Sequence, residues 1–348
     1  MAKRIQVSSD DITYYTLPGN SGELRTEMAS VDDTVFGQDW KSETPSIGNW
    51  QINGQAFFKG VAGYAATVKV GGTPTTVSGG ATTLVSGKTY QINDTAKRII
   101  SYANAVVVKD NAVDHTADLL NIDYLNGKVT FTSSYTVTGP VTIDYYYIPS
   151  AAIAKARSFN LTQQMAEIDT TDYVTAQANG GWRTYIQGLR TVGLEIGNVW
   201  ASANDFVAIL QARSLIYIDV SPNATAGGGT EEVLYRGFFK YQQQGQQGNV
   251  GALEEETLNL GLYVPDGALL LAPFQWYFGS TNDLPMGVQK TLEAWQNGTN
   301  IFVKYLADGT NGHKGTAVVT ECSLQNVYEG QNEFSFGFRG TGVLAVAP

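Results

Sequence analysis

A few short patterns in the chain have residue types that could do chemistry. Ser86-Gly-Lys-Thr89 has the ending of a phosphate-binding loop, in which backbone N–H groups and a lysine cradle phosphate oxygens. That motif also needs a glycine five positions before Gly87, where Thr82 stands, and Tyr90-Gln-Ile-Asn-Asp94 after it reads as strand and turn instead of helix. A nucleotide site is therefore set aside. The two histidines, His115 and His313, lie beside Asp114 and Gly312 in stretches that read as polar turns, with no second His or Cys at ligand spacing. Asp123, Asp144, Glu195 and Asp219 fall in strand-like runs and could supply the paired carboxylates of a glycosidase, whose working separation a sequence does not display. Tyr145-Tyr-Tyr147 is the densest aromatic group and leaves a sugar-binding face open, although alternation more simply puts Tyr146 in a core with its neighbours outward. From these residues no catalytic, cofactor or metal site is expected.

Bulk properties narrow the classes further. A chain of 348 residues has room for two or three domains with real cores. It has 38 glycines, and charged residues make up only 16%, against about 25% in an average soluble protein. A surface so poor in charge suggests extensive cover by other subunits. Net charge is −10, from 22 basic and 32 acidic residues, and the basic ones are scattered, which disfavours tight nucleic-acid binding. An acidic surface suits a conduit for DNA better than a clamp. The single Cys322, flanked by alternating apolar residues, excludes an internal disulfide and reads as a core thiol. Met1-Ala-Lys-Arg-Ile-Gln6 has no apolar segment behind it, so no signal peptide is expected. The longest apolar run, Ala268-Leu-Leu-Leu-Ala-Pro-Phe274, is far shorter than the roughly 20 residues of a membrane span.

The elements that must position these residues appear twice. A helix-like stretch over 202–213 precedes strands Leu215-Ile-Tyr-Ile-Asp-Val-Ser221, 230–241 and Leu258-Asn-Leu-Gly-Leu-Tyr263. A second helix-like stretch over 283–297 precedes Ile301-Phe-Val-Lys-Tyr-Leu-Ala307, 316–325 and Phe334-Ser-Phe-Gly-Phe-Arg339. Both closing strands read apolar, polar, apolar, Gly, apolar. This weak duplication predicts a mainly β protein of two β-sandwich or half-barrel domains, each with one flanking helix. Residues 69–150 have no convincing helix, and Asn126-Gly127 is a hairpin signal within them, so they read as an inserted small β-sandwich. The expected division is residues 1–68 with 267–348 as domain A, 69–150 as the insert, and 151–266 as domain B.

Two stretches resemble a known family. Met165-Ala-Glu-Ile-Asp-Thr-Thr-Asp172 with Gly181-Trp-Arg-Thr-Tyr-Ile-Gln-Gly-Leu189, and Glu333-Phe-Ser-Phe-Gly-Phe-Arg-Gly-Thr-Gly-Val-Leu344, resemble the loop, strand entry and last strand of tail tube proteins. These are the major tail proteins of long-tailed, non-contractile bacteriophages. The resemblance implies a non-enzymatic structural subunit whose inner sheets join edge to edge into a barrel, in rings that stack into a tube for DNA ejection. Two units per chain imply a trimeric ring with pseudo-sixfold symmetry, and the insert resembles the immunoglobulin-like domains on tail exteriors. Implied partners are other copies of the chain, a tape measure protein, a tail terminator, and distal tail or baseplate proteins. DNA would pass without tight binding, and no membrane insertion is implied. The location implied is the virion tail, assembled in the bacterial cytoplasm. On this basis the loop over 167–181, with Glu167, Asp169, Thr170, Asp172 and Tyr173, is expected to contact the next ring. Edge strands carrying Leu258 and Leu260, and Phe334, Phe336 and Phe338, are expected to close the ring. Glu254, Glu255 and Glu256 are candidate lumen charges that would repel phosphates, with a solvated turn as the other reading. The alternative of a different class is a glycan-binding or glycan-cleaving β-protein of a phage tail tip or cell surface.

Overall fold

A computed structural model describes residues 3–35, 41–58, 67–152, 156–199, 215–221, 233–247, 255–264, 272–278, 285–327 and 332–347. The chain is mainly β. Its opening strands are β1 (Arg4–Ser8), β2 (Tyr15–Leu17), β3 (Gly19–Asp32), β4 (Glu43–Phe58) and β5 (Thr67–Gly71). Next come β6 (Thr75–Ser86), β7 (Thr89–Ile92), β8 (Val107–Asp110), β9 (Val113–Asp114), β10 (Leu119–Asp123), β11 (Lys128–Phe131) and β12 (Val141–Tyr147). After them run β13 (Ser150–Ala152), β14 (Ala156–Asp169), α1 (Tyr173–Ala178), β15 (Tyr185–Val199), β16 (Ile216–Ser221), β17 (Val233–Gln247) and β18 (Glu255–Leu262). The last are β19 (Phe274–Phe278), α2 (Met286–Asn297), β20 (Ile301–Leu306), β21 (Gly312–Val327), β22 (Asn332–Gly340) and β23 (Ala345–Ala347).

Two compact units result. The first comprises Met1–Ala62, Phe159–Gly193 and Asp283–Pro348, and the second Gly63–Ser158 and Leu194–Asn282. This division differs from the expected one in three places, each with a physical cause. Residues 63–68 and 267–282, expected in domain A, go with the second unit, where β5 pairs with β16 and β19 with β17. Most of the β14–β15 hairpin goes with the first unit because β14 lies along β21, where Gln163 Nε2 donates to the Cys322 carbonyl at 2.9 Å. The insert, whose strands form a sheet of their own in the order β10-β11-β7-β6-β12-β8-β9, goes with the second unit because its core continues onto β16 and β17. Its Ile92, Val129, Ile143 and Tyr145 share one apolar cluster with Tyr217 of β16 and Phe238 of β17.

One antiparallel pairing scheme recurs in the two units. In the first, β1 pairs with β2 and β20, β20 with β21, and β21 with β22 and β23. In the second, β5 pairs with β13 and β16, β16 with β17, and β17 with β18 and β19. Even an irregularity recurs. The β21–β22 ladder steps from Val319↔Phe338 to Glu321↔Gly337 and leaves Thr320 out. The β17–β18 ladder steps from Tyr241↔Leu260 to Gln243↔Asn259 and leaves Gln242 out, so both repeats bend their long strand with one β-bulge. The insert lies between β5 and β13, where the first repeat has only the short connection between β1 and β2.

Local sequence explains the helices. In α2, Val288, Leu292 and Trp295 recur at helical spacing and are buried. The helix stops at Gly298, whose φ of 69° is the left-handed conformation that glycine tolerates. The other expected helix, over 202–213, lies outside the described residues. Within the insert, Asn126-Gly127 does turn the chain between β10 and β11, with Gly127 at φ 63°. The tyrosine expectation differs from the structure: Tyr145 is 2% exposed and Tyr146 37%. Val141 and Ile143 set the phase of β12, and Tyr145 follows them inward.

Candidate assembly surface

Alternation along β4, β22 and β21 sorts side chains onto two faces. Trp50, Ile52, Phe334, Phe336, Phe338, Cys322 and Leu324 are all buried on one. The other face is polar, and Ser21, Glu23, Asn53, Gln55, Glu321 and Ser335 line an open depression across β3, β4, β22 and β21. Two of these six are acidic and none is basic. Arg339 bounds the face, donating from Nη1 to Gln51 Oε1 at 3.1 Å and from Nη2 to the Tyr185 hydroxyl at 3.0 Å. It also stands 3.4 Å from Glu167. In the second unit β18 follows the same rule, with Leu258 and Leu260 buried and Thr257, Asn259 and Gly261 on the opposite face. Arg25 of β3 shares this face and pairs with Glu27, as Arg339 pairs with Glu167, so a surface of amides, hydroxyls and carboxylates with its arginines paired offers phosphates hydrogen bonds and little attraction.

The strands expected to close a ring are interior. β22 pairs with both β21 and β4, and β18 has β17 and β15 as neighbours. Leu258, Leu260, Phe334, Phe336 and Phe338 are therefore core residues, each at most 2% exposed. Among the described residues the open flanks are elsewhere. β3 pairs only with β4, and residues 240–247 of β17 pair only with β18. β3 carries Glu23, Arg25 and Glu27, charges of the kind that keep an edge from pairing indiscriminately.

The expected ring-contact loop is more ordered than a polar linker. β14 runs through Glu167 to Asp169, Thr170 N bonds Thr184 O at 3.0 Å, and Tyr173 opens α1. Asp172 caps that helix, accepting from Thr175 N at 2.7 Å while the Thr175 hydroxyl receives the Asp172 N–H. The Thr175 backbone bond holds the Asp172 carboxyl below its ordinary range. Burial pushes Asp169 upward, but hydrogen bonds from Thr171 and Arg183 outweigh it and leave this carboxyl also lowered. Exposed apolar side chains adjoin the polar ones: Ile168, Val174, Ile186 and Leu189.

The three glutamates separate. Glu254 lies outside the described residues. Glu255 is exposed, and Glu256 is 1% exposed on the core side with Leu258 and Leu260, because adjacent strand residues face opposite ways. Burial first, and then the nearby Glu256, push the Tyr241 hydroxyl pKa up. The acidic residues that do line the polar depression, Glu23 and Glu321, were not singled out from sequence. Their only signal was position in an alternating strand, which does not say what the polar face meets.

The candidate chemical groups take structural positions. Gly87, at φ 52°, turns the chain from β6 to β7, and Lys88 Nζ donates to the Thr132, Ser133 and Tyr135 carbonyls. His115 bonds Asp118 at 2.9 Å, and His313 lies within β21 and not in a turn. Asp144 accepts from Gly79 N and pairs with Lys109. Glu195 is exposed on β15. Asp123 and Asp219, each 4% exposed, join one buried network in the second unit. Arg236 Nη1 donates to the Leu125 carbonyl at 3.0 Å and to Asn126 Oδ1 at 3.1 Å, with its Nε 3.6 Å from Asp219. Asn126 Nδ2 in turn donates to Asp123 at 2.8 Å. The network ties the insert to β16 and β17, and both carboxylates are buried within it. Among the described residues no group of three or more His, Cys, Asp and Glu side chains is placed to hold a metal. No protein-family model matches the chain, and no curated protein matches its sequence.

Proposed function

We propose that the chain is a non-catalytic, self-assembling structural protein, the tail tube subunit of a long-tailed bacteriophage. Three copies, each with two repeats, would form a ring with pseudo-sixfold symmetry, and rings would stack into a channel for DNA. The observation that carries this reading is the recurring pairing scheme with its shared β-bulge. Two quasi-equivalent β units in one chain are what a threefold ring with sixfold places requires. The amide and carboxylate face in the first unit adds support, since a lumen for DNA must be polar and must not hold phosphates. Under the same reading the tape measure, terminator and distal tail proteins are partners, and the virion tail is the location. The insert would face away from the channel.

Electron microscopy of the purified protein at increasing concentration, with mass measured alongside, tests the proposal. Stacked threefold rings are expected. A chain that remains monomeric at every concentration, with and without added tail-tip proteins, would refute it.

A further inference from the structure

The two repeats differ in one joint. In the first unit β20 covers β21 only over residues 312–317, and β14 takes the flank that β20 leaves open. Gln163 seals that joint through Cys322 O at 2.9 Å and, from its backbone N, through Ser323 Oγ at 3.3 Å. In the second unit β16 likewise covers β17 only as far as Phe239, and among the described residues nothing pairs with that flank over residues 240–247. The strand equivalent to β14 is β3. Each directly follows the short second strand of its repeat (β2 or β13), and each pairs in a long hairpin with the strand next to the bulged ladder (β4 beside β22, β15 beside β18).

One chain thus holds a filled version of this joint and both halves of an unfilled one. We propose that β3 of a second copy adds to residues 240–247 of β17, as β14 adds to β21 within the chain. This names the joint of the proposed ring and rests on that reading. The contact is heterologous, so it closes into a ring or propagates as a filament and does not stop at a dimer. Composition fits it. Tyr241-Gln-Gln-Gln-Gly-Gln-Gln247 has no charge and no proline to block a ladder, while Lys240 and the Glu23, Arg25 and Glu27 of β3 provide charges of both signs.

Hydrogen exchange on the wild-type protein, before and after assembly, is the test. Amides of β3 and of residues 240–247 should each slow at least about tenfold on assembly, with β18 amides unchanged, because newly paired edges gain protection. Cysteine pairs then read the register: Gln243→Cys with Glu23→Cys, Arg25→Cys or Glu27→Cys, all on the polar face, with the buried Cys322 not competing. At least one pair should give cross-linked chains on a non-reducing gel where the single variants give none. Assemblies in which either edge exchanges as fast as in the free subunit would overturn this joint and leave the tube reading standing. A wild-type chain that never assembles would overturn the tube reading, and the joint with it.

Discussion

Gly340→Ala isolates the contact that pins three strands of the first unit. The Trp50 ring of β4 is 1% exposed and lies over glycines of β21 and β22. A Cβ at Gly340 would stand 2.0 Å from Trp50 Cε2, 2.2 Å from Cδ2 and 2.4 Å from Nε1. Carbon atoms pack at about 3.5–4.0 Å, so the indole must retreat by about 1.5 Å. It has little room to do so, since the Cβ position of Gly315 is 2.4 Å from Cζ2. Retreat also breaks the buried bond from Nε1 to the Gly342 carbonyl, now 3.0 Å. Overpacking costs about 1–3 kcal/mol, and an unsatisfied buried donor about 1–3 kcal/mol more, so a loss of about 3 kcal/mol is expected. The assay is urea unfolding followed by tryptophan fluorescence, with the midpoint shift converted through the slope. Gly193→Ala is the control, because the nearest atom to its new Cβ is Thr162 Cβ at 4.0 Å, and its midpoint should move by less than about 0.5 kcal/mol. If Gly340→Ala falls within the same range as the control, the ring is not confined as described.

Arg236→Met should destabilise the second unit by about 3–5 kcal/mol, because it leaves buried Asp219 without its guanidinium; a midpoint shift under about 1 kcal/mol would show that the network does not hold the insert. Asp10, held at about 2 chiefly by the Thr13 backbone bond, and Asp308, held at about 2 by Asn311, have folded pKa values below the ordinary 3.8. Their contribution is complete above about pH 4 and is lost as pH falls towards 2, so Asp10→Asn with Asp308→Asn should flatten the acid limb of a thermal melt. An unchanged limb would rule these loops out as acid-sensitive points. Burial raises the Cys322 thiol pKa well above its ordinary value, so a thiol reagent at pH 8 should react only after unfolding. Rapid labelling of the native protein would contradict a sealed core there.

What the sequence displayed, and what it hid, follows from the range of the interactions. The mainly β class, α2 and the Asn126-Gly127 hairpin rest on local patterns and were legible. The duplication was visible through Leu258-Asn-Leu-Gly-Leu262 and Phe334-Ser-Phe-Gly-Phe338, but in a shifted register. Those motifs match Leu260 with Phe336, whereas the ladders counted from the bulge match Leu260 with Phe338. A displacement of two keeps every side chain on its face, so the hydrophobic pattern cannot reveal it. Edge status was not legible at all. β18 and β22 have the alternation of any half-exposed strand, and only the long-range pairings with β15 and β4 make them interior. The same blindness concealed that the insert and β16 and β17 share one core.

The place where the repeats diverge bears on why the second is built as it is. At the same step from the bulge, the first repeat pairs Leu324 with Phe334, both fully buried, and the second pairs Gln246 with Glu256. A carboxylate that is 1% exposed on the apolar side of a strand costs stability unless its charge is fully compensated. Glu256 has an interaction partner, so the second repeat is held at this step by a polar contact where the first uses aromatic packing. Glu256→Leu should therefore leave that partner unmatched and destabilise the isolated subunit by about 1–3 kcal/mol. Urea unfolding of the subunit reads the loss from the midpoint and slope. A variant as stable as the wild type would show that the carboxylate contributes nothing to the fold, and the divergence between the repeats would then need a cause outside the free subunit.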